Sequence, residues 1–338
     1  MDLVIKPTER CNFNCSFCSS PKKLETEEVD VNKVLYFLDC YPETRTIIVN
    51  GGDPLMMDPK YYFDILHHIE DQELQTTLCL MTNLWGFYQY PEKWKELFQA
   101  RNVKVGTSFQ YGEGRRTMTG PFTEDLFRKV ITKFEDYIGY TPMFIAVINE
   151  DNEDTVIKTI ELAKELKTVC KINPMFKSGR ASNPYPLYKM YKNYLHIIDK
   201  GLDKYEQNST NLKNFSSGTT TCSMPFNKQM CDQGIRCIGP RNEYHSCPAI
   251  NDDHYDDYNR MKFTYELNFE ADMKEQRLNR LNTIYLMSLK PECLECPLYK
   301  LCNNCAKHVK DYKEMGEEFI EEHCNGMKEQ QEELEKYL

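Results

Sequence analysis

The 338-residue chain contains no run of about twenty consecutive apolar residues, the length that a membrane-spanning helix needs. Its opening, MDLVIKPTER, lacks a basic stretch leading into a long apolar core, so no signal peptide is readable and the expected compartment is the cytoplasm. Dominant basic clusters are missing too. With 42 Lys and Arg against 52 Asp and Glu, the formal net charge is −10, which excludes a general nucleic-acid binder, because neutralising phosphates requires clustered cations. There is no repeat of solenoid length. Neither a membrane nor a nucleic acid is therefore expected as a partner. Cysteine, by contrast, is abundant: there are 15, an odd number and a high one, in a chain too long to need the disulfide scaffold of a small secreted domain. Metal ligation is the better account of them. At 41% hydrophobic residues the chain can bury one large core, or one core and a smaller satellite.

Short β-type runs alternate with amphipathic helical stretches over the first 200 residues. LVIK (3–6), TIIVN (46–50), LCLMT (78–82), VKVGTS (103–108), MFIAVI (143–148) and VCKIN (169–173) read as buried strands. Residues 31–38, 60–69, 124–138 and 154–166 carry helical spacing between them. Strands that alternate with helices imply a parallel sheet, so the expected fold class is α/β, a partial (β/α)6 TIM-type barrel whose ligands sit at the carboxyl ends of the strands. Residues 1–205 would form this barrel. The stretch 206–221, EQNSTNLKNFSSGTTT, is polar and reads as a linker. A small Cys-rich domain is expected over 222–325 and a solvated helical tail over 326–338.

Cys11, Cys15 and Cys18 crowd the loop after the first predicted strand, in ERCNFNCSFCSS. Three thiolates at this spacing can hold one iron–sulfur cube and leave one iron without a protein ligand. Zinc with a fourth ligand elsewhere, or three buried thiols, are the alternatives at this point. The stretch VNGGDPLM (49–56) ends the second strand, where two glycines allow a close backbone approach to a ligand. The last eight cysteines, Cys231, Cys237, Cys247, Cys293, Cys296, Cys302, Cys305 and Cys324, suffice for two four-cysteine sites of iron–sulfur or zinc type.

CNFNCSFC followed by GGDP resembles the radical S-adenosylmethionine (SAM) superfamily. The resemblance implies that Cys11, Cys15 and Cys18 hold a [4Fe-4S] cluster whose open iron chelates SAM, and that an electron then cleaves SAM to methionine and a 5′-deoxyadenosyl radical. It further implies that Phe17 lies against the adenine and that Gly51, Gly52 and Asp53 meet the methionine amino group, Asp53 standing where glutamate is commoner. Ser108 would lie near the ribose and Arg116 near the SAM carboxylate, which a guanidinium fork suits. INEDN (148–152) and FKSGRA (176–181) would line the same pocket.

The C-terminal cysteines then resemble the SPASM extension of these enzymes, which carries two auxiliary clusters. By that resemblance Cys231, Cys237, Cys247 and Cys305 bind the first, and Cys293, Cys296, Cys302 and Cys324 the second, so the cofactors are three [4Fe-4S] clusters and SAM. Two departures from the family are CNNC, with two residues between its cysteines where three are usual, and Asn242 in place of a glycine. Cys40, Cys79 and Cys170 read as core thiols, and Cys222 at the domain junction as a candidate for a functional role.

The implied activity is hydrogen abstraction from a peptide or protein, leading to a crosslinked, oxidised or epimerised residue. The alternatives are a sulfatase-type formylglycine maturase, against which stands Pro248 where that family has its catalytic acid, and a SPASM enzyme acting on a small molecule. A non-enzymatic electron-transfer or zinc-binding protein would leave GGDP and the strand–helix alternation without a role. The expected partners are the peptide or protein substrate, a reductant such as flavodoxin or ferredoxin, and a separate leader-binding protein, since no winged-helix leader-binding module precedes the first strand. Otherwise the barrel rim would hold the precursor, with Tyr111 and Tyr244 as rim candidates and Glu113 as a general base.

Overall fold

The computed structural model describes residues 1–20, 26–216, 234–241, 243–245, 261–262, 264–266, 288–303 and 305–338. Cys222, Cys231, Asn242, Cys247 and Pro248 lie outside the described residues. The chain divides into two compact units.

The first unit comprises residues 1–109, 113–142 and 231–278. It holds β1 (Asp2–Ile5), α1 (Val31–Cys40), β2 (Thr46–Val49), α2 (Pro59–Asp71), β3 (Thr77–Met81), α3 (Trp85–Gln89), α4 (Pro91–Gln99), β4 (Val103–Ser108) and α5 (Glu124–Ile138). Strands β1 to β4 lie where the period-two apolar runs predict them, and each pairs in parallel with the next. Their inward residues, such as Leu3, Ile47, Leu78 and Leu80, are inaccessible to solvent.

The helices start and stop where local chemistry dictates. Asp30, Asp58 and Thr123 cap α1, α2 and α5 by accepting backbone N–H groups, and Pro59 and Pro91 open α2 and α4 where no donor is needed. Gly139 ends α5 at φ 91°, a left-handed turn that a β-carbon would oppose. In α5, Phe127, Val130, Ile131 and Phe134 form the buried stripe, spaced by three and four.

A seventh parallel strand was not legible in the periodicity. β7 (Ile235–Ile238) lies within the stretch expected to form a separate C-terminal domain, yet it pairs in parallel with β1, Cys237 opposite Val4. The amide of Lys6 continues the ladder by donating to the Ile238 carbonyl at 3.0 Å. Two antiparallel strands, β8 (Glu243–His245) and β9 (Met261–Lys262), extend the sheet from β7. IRCI is only four residues long and its register is set by β1, so a local pattern cannot place it.

The second unit comprises residues 110–112, 143–230 and 279–338. Parallel strands β5 (Met143–Ile148) and β6 (Cys170–Pro174) flank α6 (Val156–Glu165), followed by α7 (Leu187–Asp199) and α8 (Gln207–Lys213). The helix α7 escaped the sequence reading because tyrosines, Tyr191 and Tyr194, fill much of its buried face.

The polar stretch expected to be a linker instead contains α8. The buried Glu206 carboxylate accepts from the amides of Asn208 at 3.1 Å, Ser209 at 2.5 Å and, in β6, Ile172 at 3.0 Å. The Asn208 amide group donates back to the Ile172 carbonyl at 2.6 Å. Polar residues here are satisfied by backbone, so polarity does not mean solvation.

Within this unit the helix Glu317–Lys328 packs on α7 at a glycine. A β-carbon on Gly326 would stand 2.3 Å from the Tyr188 ring, whose hydroxyl donates to Glu322 at 2.7 Å. Gly326→Ala is expected to cost about 1–3 kcal/mol by overpacking, read as a lower denaturant midpoint with an unchanged slope. An unchanged midpoint would show that the ring moves aside freely. The tail expected to be solvated is helical at Gln331–Glu335, but Met327 and Leu334 are buried, so one side of it is packed.

Candidate functional site

The loop carrying Cys11, Cys15 and Cys18 leaves the carboxyl end of β1 and is pinned from two sides. The first side is the Gly-Gly-Asp turn after β2. Gly52 and Asp53 donate their amides to the carbonyls of Thr8 and Arg10 at 2.9 and 2.8 Å. A β-carbon on Gly52 would fall 2.1 Å from the Arg10 carbonyl oxygen, and one on Gly51, at φ 113°, 2.7 Å from that of Thr8. Both glycines are required because the cysteine loop passes against their backbone.

Asp53 is buried at 2% exposure. Its carboxylate accepts from the amide of Leu55 at 2.9 Å, the hydroxyl of Thr82 at 3.0 Å and the amide of Asn83 at 2.8 Å, tying the ends of β2 and β3 together. Asn83 in turn donates to Asn12 at 2.6 Å and stands 3.9 Å from the Cys11 sulfur. In the described residues Asp53 is thus a bracket behind the cysteine loop.

Burial outweighs these hydrogen bonds and raises its pKa from 3.8 to about 6. A carboxyl whose folded pKa exceeds its unfolded one stabilises the protein fully below about pH 4, and that contribution is lost as the pH rises through 6. Relative to Asp53→Asn, metal-free wild-type protein is expected to lose about 2 kcal/mol between pH 4 and pH 7 in urea titrations. Parallel stability curves for the two proteins would refute the buried, titrating bracket.

The second side is the segment after β4. Asn14 donates its amide to the Arg116 carbonyl at 2.7 Å and Ser16 to that of Gly114 at 2.9 Å. Phe13, buried at the start of this short ladder, packs edge-on against Phe122 with ring centroids 5.0 Å apart. The Phe13 amide also donates to the Cys11 sulfur at 3.3 Å.

These contacts bring Arg115 to the thiols. Its side chain is buried, its guanidinium lies 5.3 Å from the centroid of the Phe17 ring, and Nη1 donates to the Ser108 hydroxyl at 2.8 Å. Burial disfavours its charge, while the nearby sulfurs of Cys15, Cys11 and Cys18 support it. Arg116, the residue that the resemblance pointed to, stands on the opposite side of the backbone. It is 40% exposed and lies 3.9 Å from Glu113, itself nearly fully exposed. The alternation of an extended segment decides between the neighbours, which sequence alone does not distinguish.

Three thiols on one loop, Cys11, Cys15 and Cys18, are a donor set that an iron–sulfur cube accepts, each sulfur taking a different iron. The buried guanidinium and the glycine turn give the loop a cationic, closely packed setting suited to an anionic sulfur cluster.

In the second unit, four further thiols share one neighbourhood. Cys293 lies in a 3-10 turn at Pro291–Glu295 that Cys296 closes, Cys302 ends a helical turn at Tyr299–Cys302, and Cys324 lies on the helix Glu317–Lys328. Burial, then the nearby Cys296, Cys324 and Cys293, push the Cys302 thiol far up. Cys305, also buried, caps the helix Ala306–Met315. Cys237 packs in the sheet core with Val4, Ile235 and Ile48.

The remaining candidates divide. Tyr244 is fully buried beside Phe37 with centroids 6.4 Å apart, so it belongs to the core and not to a rim. Tyr111 carries the Lys158 ammonium 3.9 Å from its ring centroid. In INEDN, Asn152 accepts from the Asn149 amide at 2.9 Å and donates to the Val147 carbonyl at 3.0 Å, closing the turn after β5. Cys170 is buried on β6, Cys79 half-buried on β3, and Cys40 ends α1.

In comparison with known proteins, the model of the Radical SAM superfamily matches residues 5–163 of this chain. An uncharacterized protein of Methanothermobacter thermautotrophicus is 26% identical over 134 residues, 35% of this chain, and the match spans only half the length of that relative. Among solved structures, native anSMEcpe with bound AdoMet superposes with a TM-score of 0.69 at 14% identity, covering 100% of both chains. Streptococcus suis SuiB bound to precursor peptide SuiA gives 0.63 at 15% identity, covering 91% of this chain and 72% of that one. The fold class is α/β, a partial barrel of the TIM type with a Cys-rich C-terminal region. Among the described residues no helix is long and apolar enough to cross a membrane.

Proposed function

We propose that the chain is a radical SAM enzyme that abstracts hydrogen from a peptide or protein, yielding a crosslinked, oxidised or epimerised residue. The observation that carries the reading is the thiol loop itself, with Cys11, Cys15 and Cys18 closed behind by Gly51, Gly52 and Asp53 and faced by the buried Arg115. The three thiols would hold a [4Fe-4S] cluster, which when bound supplies the electron that cleaves SAM to methionine and the 5′-deoxyadenosyl radical.

The chain's own residues do the rest. Arg115 meets the SAM carboxylate or offsets the cluster's charge, steadied by Ser108, and replaces Arg116 in that role. Phe17, held under the guanidinium, offers its open face to the adenine. Cys293, Cys296, Cys302 and Cys324 would hold an auxiliary cluster, supported by their shared neighbourhood. Cys231, Cys237, Cys247 and Cys305 are proposed for another on sequence resemblance. A peptide substrate is favoured because a structure of this fold carries a precursor peptide. A flavodoxin- or ferredoxin-type reductant, a separate leader-binding protein and a cytoplasmic location complete the reading.

Anaerobic reconstitution tests it. The protein is expected to bind about twelve irons with matching acid-labile sulfide and, when reduced, to release 5′-deoxyadenosine and modify a peptide encoded beside its gene, seen by mass spectrometry. Arg115→Met should raise the KM for SAM about tenfold or more, whereas Arg116→Met should change it by less than about twofold. Stoichiometric zinc without sulfide would overturn the enzyme reading, and equal effects of the two arginines would overturn the assignment of Arg115.

A further inference from the structure

Asn303 is the first of the two asparagines in CNNC, and the two ends of its side chain are treated differently by the fold. Its backbone closes the helical turn Tyr299–Cys302, the amide donating to the Tyr299 carbonyl at 2.9 Å. The side-chain oxygen accepts the Leu289 amide at 3.0 Å. That bond settles which end of the carboxamide is oxygen, because a backbone N–H can meet only an acceptor. The other end is Nδ2, a donor. Asn303 is 3% exposed, and among the described residues Nδ2 has no hydrogen-bond partner. Buried donors are nearly always paired, since an unmet one forfeits its bonds to water and gains nothing in return.

The surroundings say what this donor serves. Asn303 directly follows Cys302, whose thiolate is disfavoured by burial and then by the nearby Cys296, Cys324 and Cys293. The amide next to the one that anchors Asn303, that of Lys290, donates to the Cys293 sulfur at 3.4 Å. Two consecutive amides thus hold the carboxamide and a cysteine sulfur, so the donor and the thiols belong to one compact piece of the second unit. An uncharged N–H in this place suits sulfur that gains negative charge on reduction. Hydrogen bonds to the sulfurs favour the reduced, more anionic form of an iron–sulfur cluster and so raise its potential.

We propose that Asn303 is a positioning residue for the auxiliary cluster of Cys293, Cys296, Cys302 and Cys324, its Nδ2 donating to a sulfur of that cluster and thereby setting its reduction potential. The inference rests on the iron–sulfur assignment of these four thiols proposed above. The test uses full-length protein reconstituted anaerobically in a Cys15→Ala background, so that the N-terminal thiols add no cluster signal. With nitrogen-15 placed only in asparagine side chains, the reduced protein is expected to show a nitrogen-15 hyperfine coupling in pulsed electron paramagnetic resonance. Asn303→Leu should abolish that coupling at unchanged iron and sulfide. The same variant should lower one midpoint potential, so that at the parental midpoint the reduced-to-oxidised ratio falls about tenfold, about 59 mV for a one-electron couple. If this variant is insoluble, Asn303→Asp, which keeps the acceptor for Leu289 and carries no side-chain nitrogen, should abolish the coupling likewise. No coupling in the parent, or a coupling that persists in the variants, would overturn the proposal. A lower melting temperature with an unmoved potential would reduce Asn303 to its bond with Leu289 and overturn it too. Zinc without sulfide at these cysteines would overturn it together with the cluster assignment. A coupling present in protein whose wild type makes no 5′-deoxyadenosine would sustain the role of Asn303 and overturn only the enzyme reading.

Discussion

Cys15→Ala protein, reconstituted anaerobically, is expected to lose about four irons and to release no 5′-deoxyadenosine above background when reduced in the presence of SAM. Cys15 is the buried member of the three and the middle one in sequence, and the loop around it is held by the amides of Asn14 and Ser16 on its two flanks. Removing it leaves Cys11 and Cys18, and two thiolates retain a cube poorly. The backbone contacts do not depend on the Cys15 sulfur, so the variant should stay folded and keep the rest of the iron that the wild type binds. Iron counting together with chromatography of the nucleoside product therefore separates loss of the site from loss of the protein. Undiminished nucleoside release would remove the N-terminal thiols from the chemistry.

Gly52→Ala should be nearly as damaging, for a steric reason. The new β-carbon would fall 2.1 Å from the Arg10 carbonyl oxygen and 2.4 Å from that of Glu9. Both are backbone atoms, so no rotamer change relieves the clash, and the whole cysteine loop has to retreat. That retreat also strains the bonds from Gly52 and Asp53 to Thr8 and Arg10. A cost of about 3 kcal/mol or more is expected, with a melting temperature lower by roughly 4 °C or more and incomplete iron loading at the N-terminal site. Gly120→Ala is the matched comparison, because nothing lies within 4 Å of its β-carbon position, and it should shift neither quantity. If both variants loaded and melted like wild type, the glycine turn would not be what closes the cysteine loop.

The sequence by itself determined the elements whose partners are local. Strands β1 to β6 follow from short apolar β-type runs, and α1, α2, α5 and α6 from spacing by three and four. The spacing of Cys11, Cys15 and Cys18, and the Gly51-Gly52 pair, pointed to a loop that approaches another backbone closely, since few side-chain patterns carry so narrow a chemical meaning.

Tertiary structure decided the rest, wherever the partner lies far along the chain. β7 takes its place from β1, more than 200 residues away, and no property of IRCI alone announces it. α8 is polar in sequence and buried in space, because the Glu206 carboxylate and the backbone of β6 satisfy it. Arg115 and Arg116 are indistinguishable as letters, and only the extended backbone between β4 and α5, clamped by Asn14 and Ser16, turns one toward the thiols and the other to solvent. Asp53 reads as a ligand-facing acid, yet it points at Thr82 and Asn83, because the ends of β2 and β3 are adjacent and their donors need an acceptor. A residue's type is local information, whereas the direction of its side chain is fixed by which strands and loops surround it.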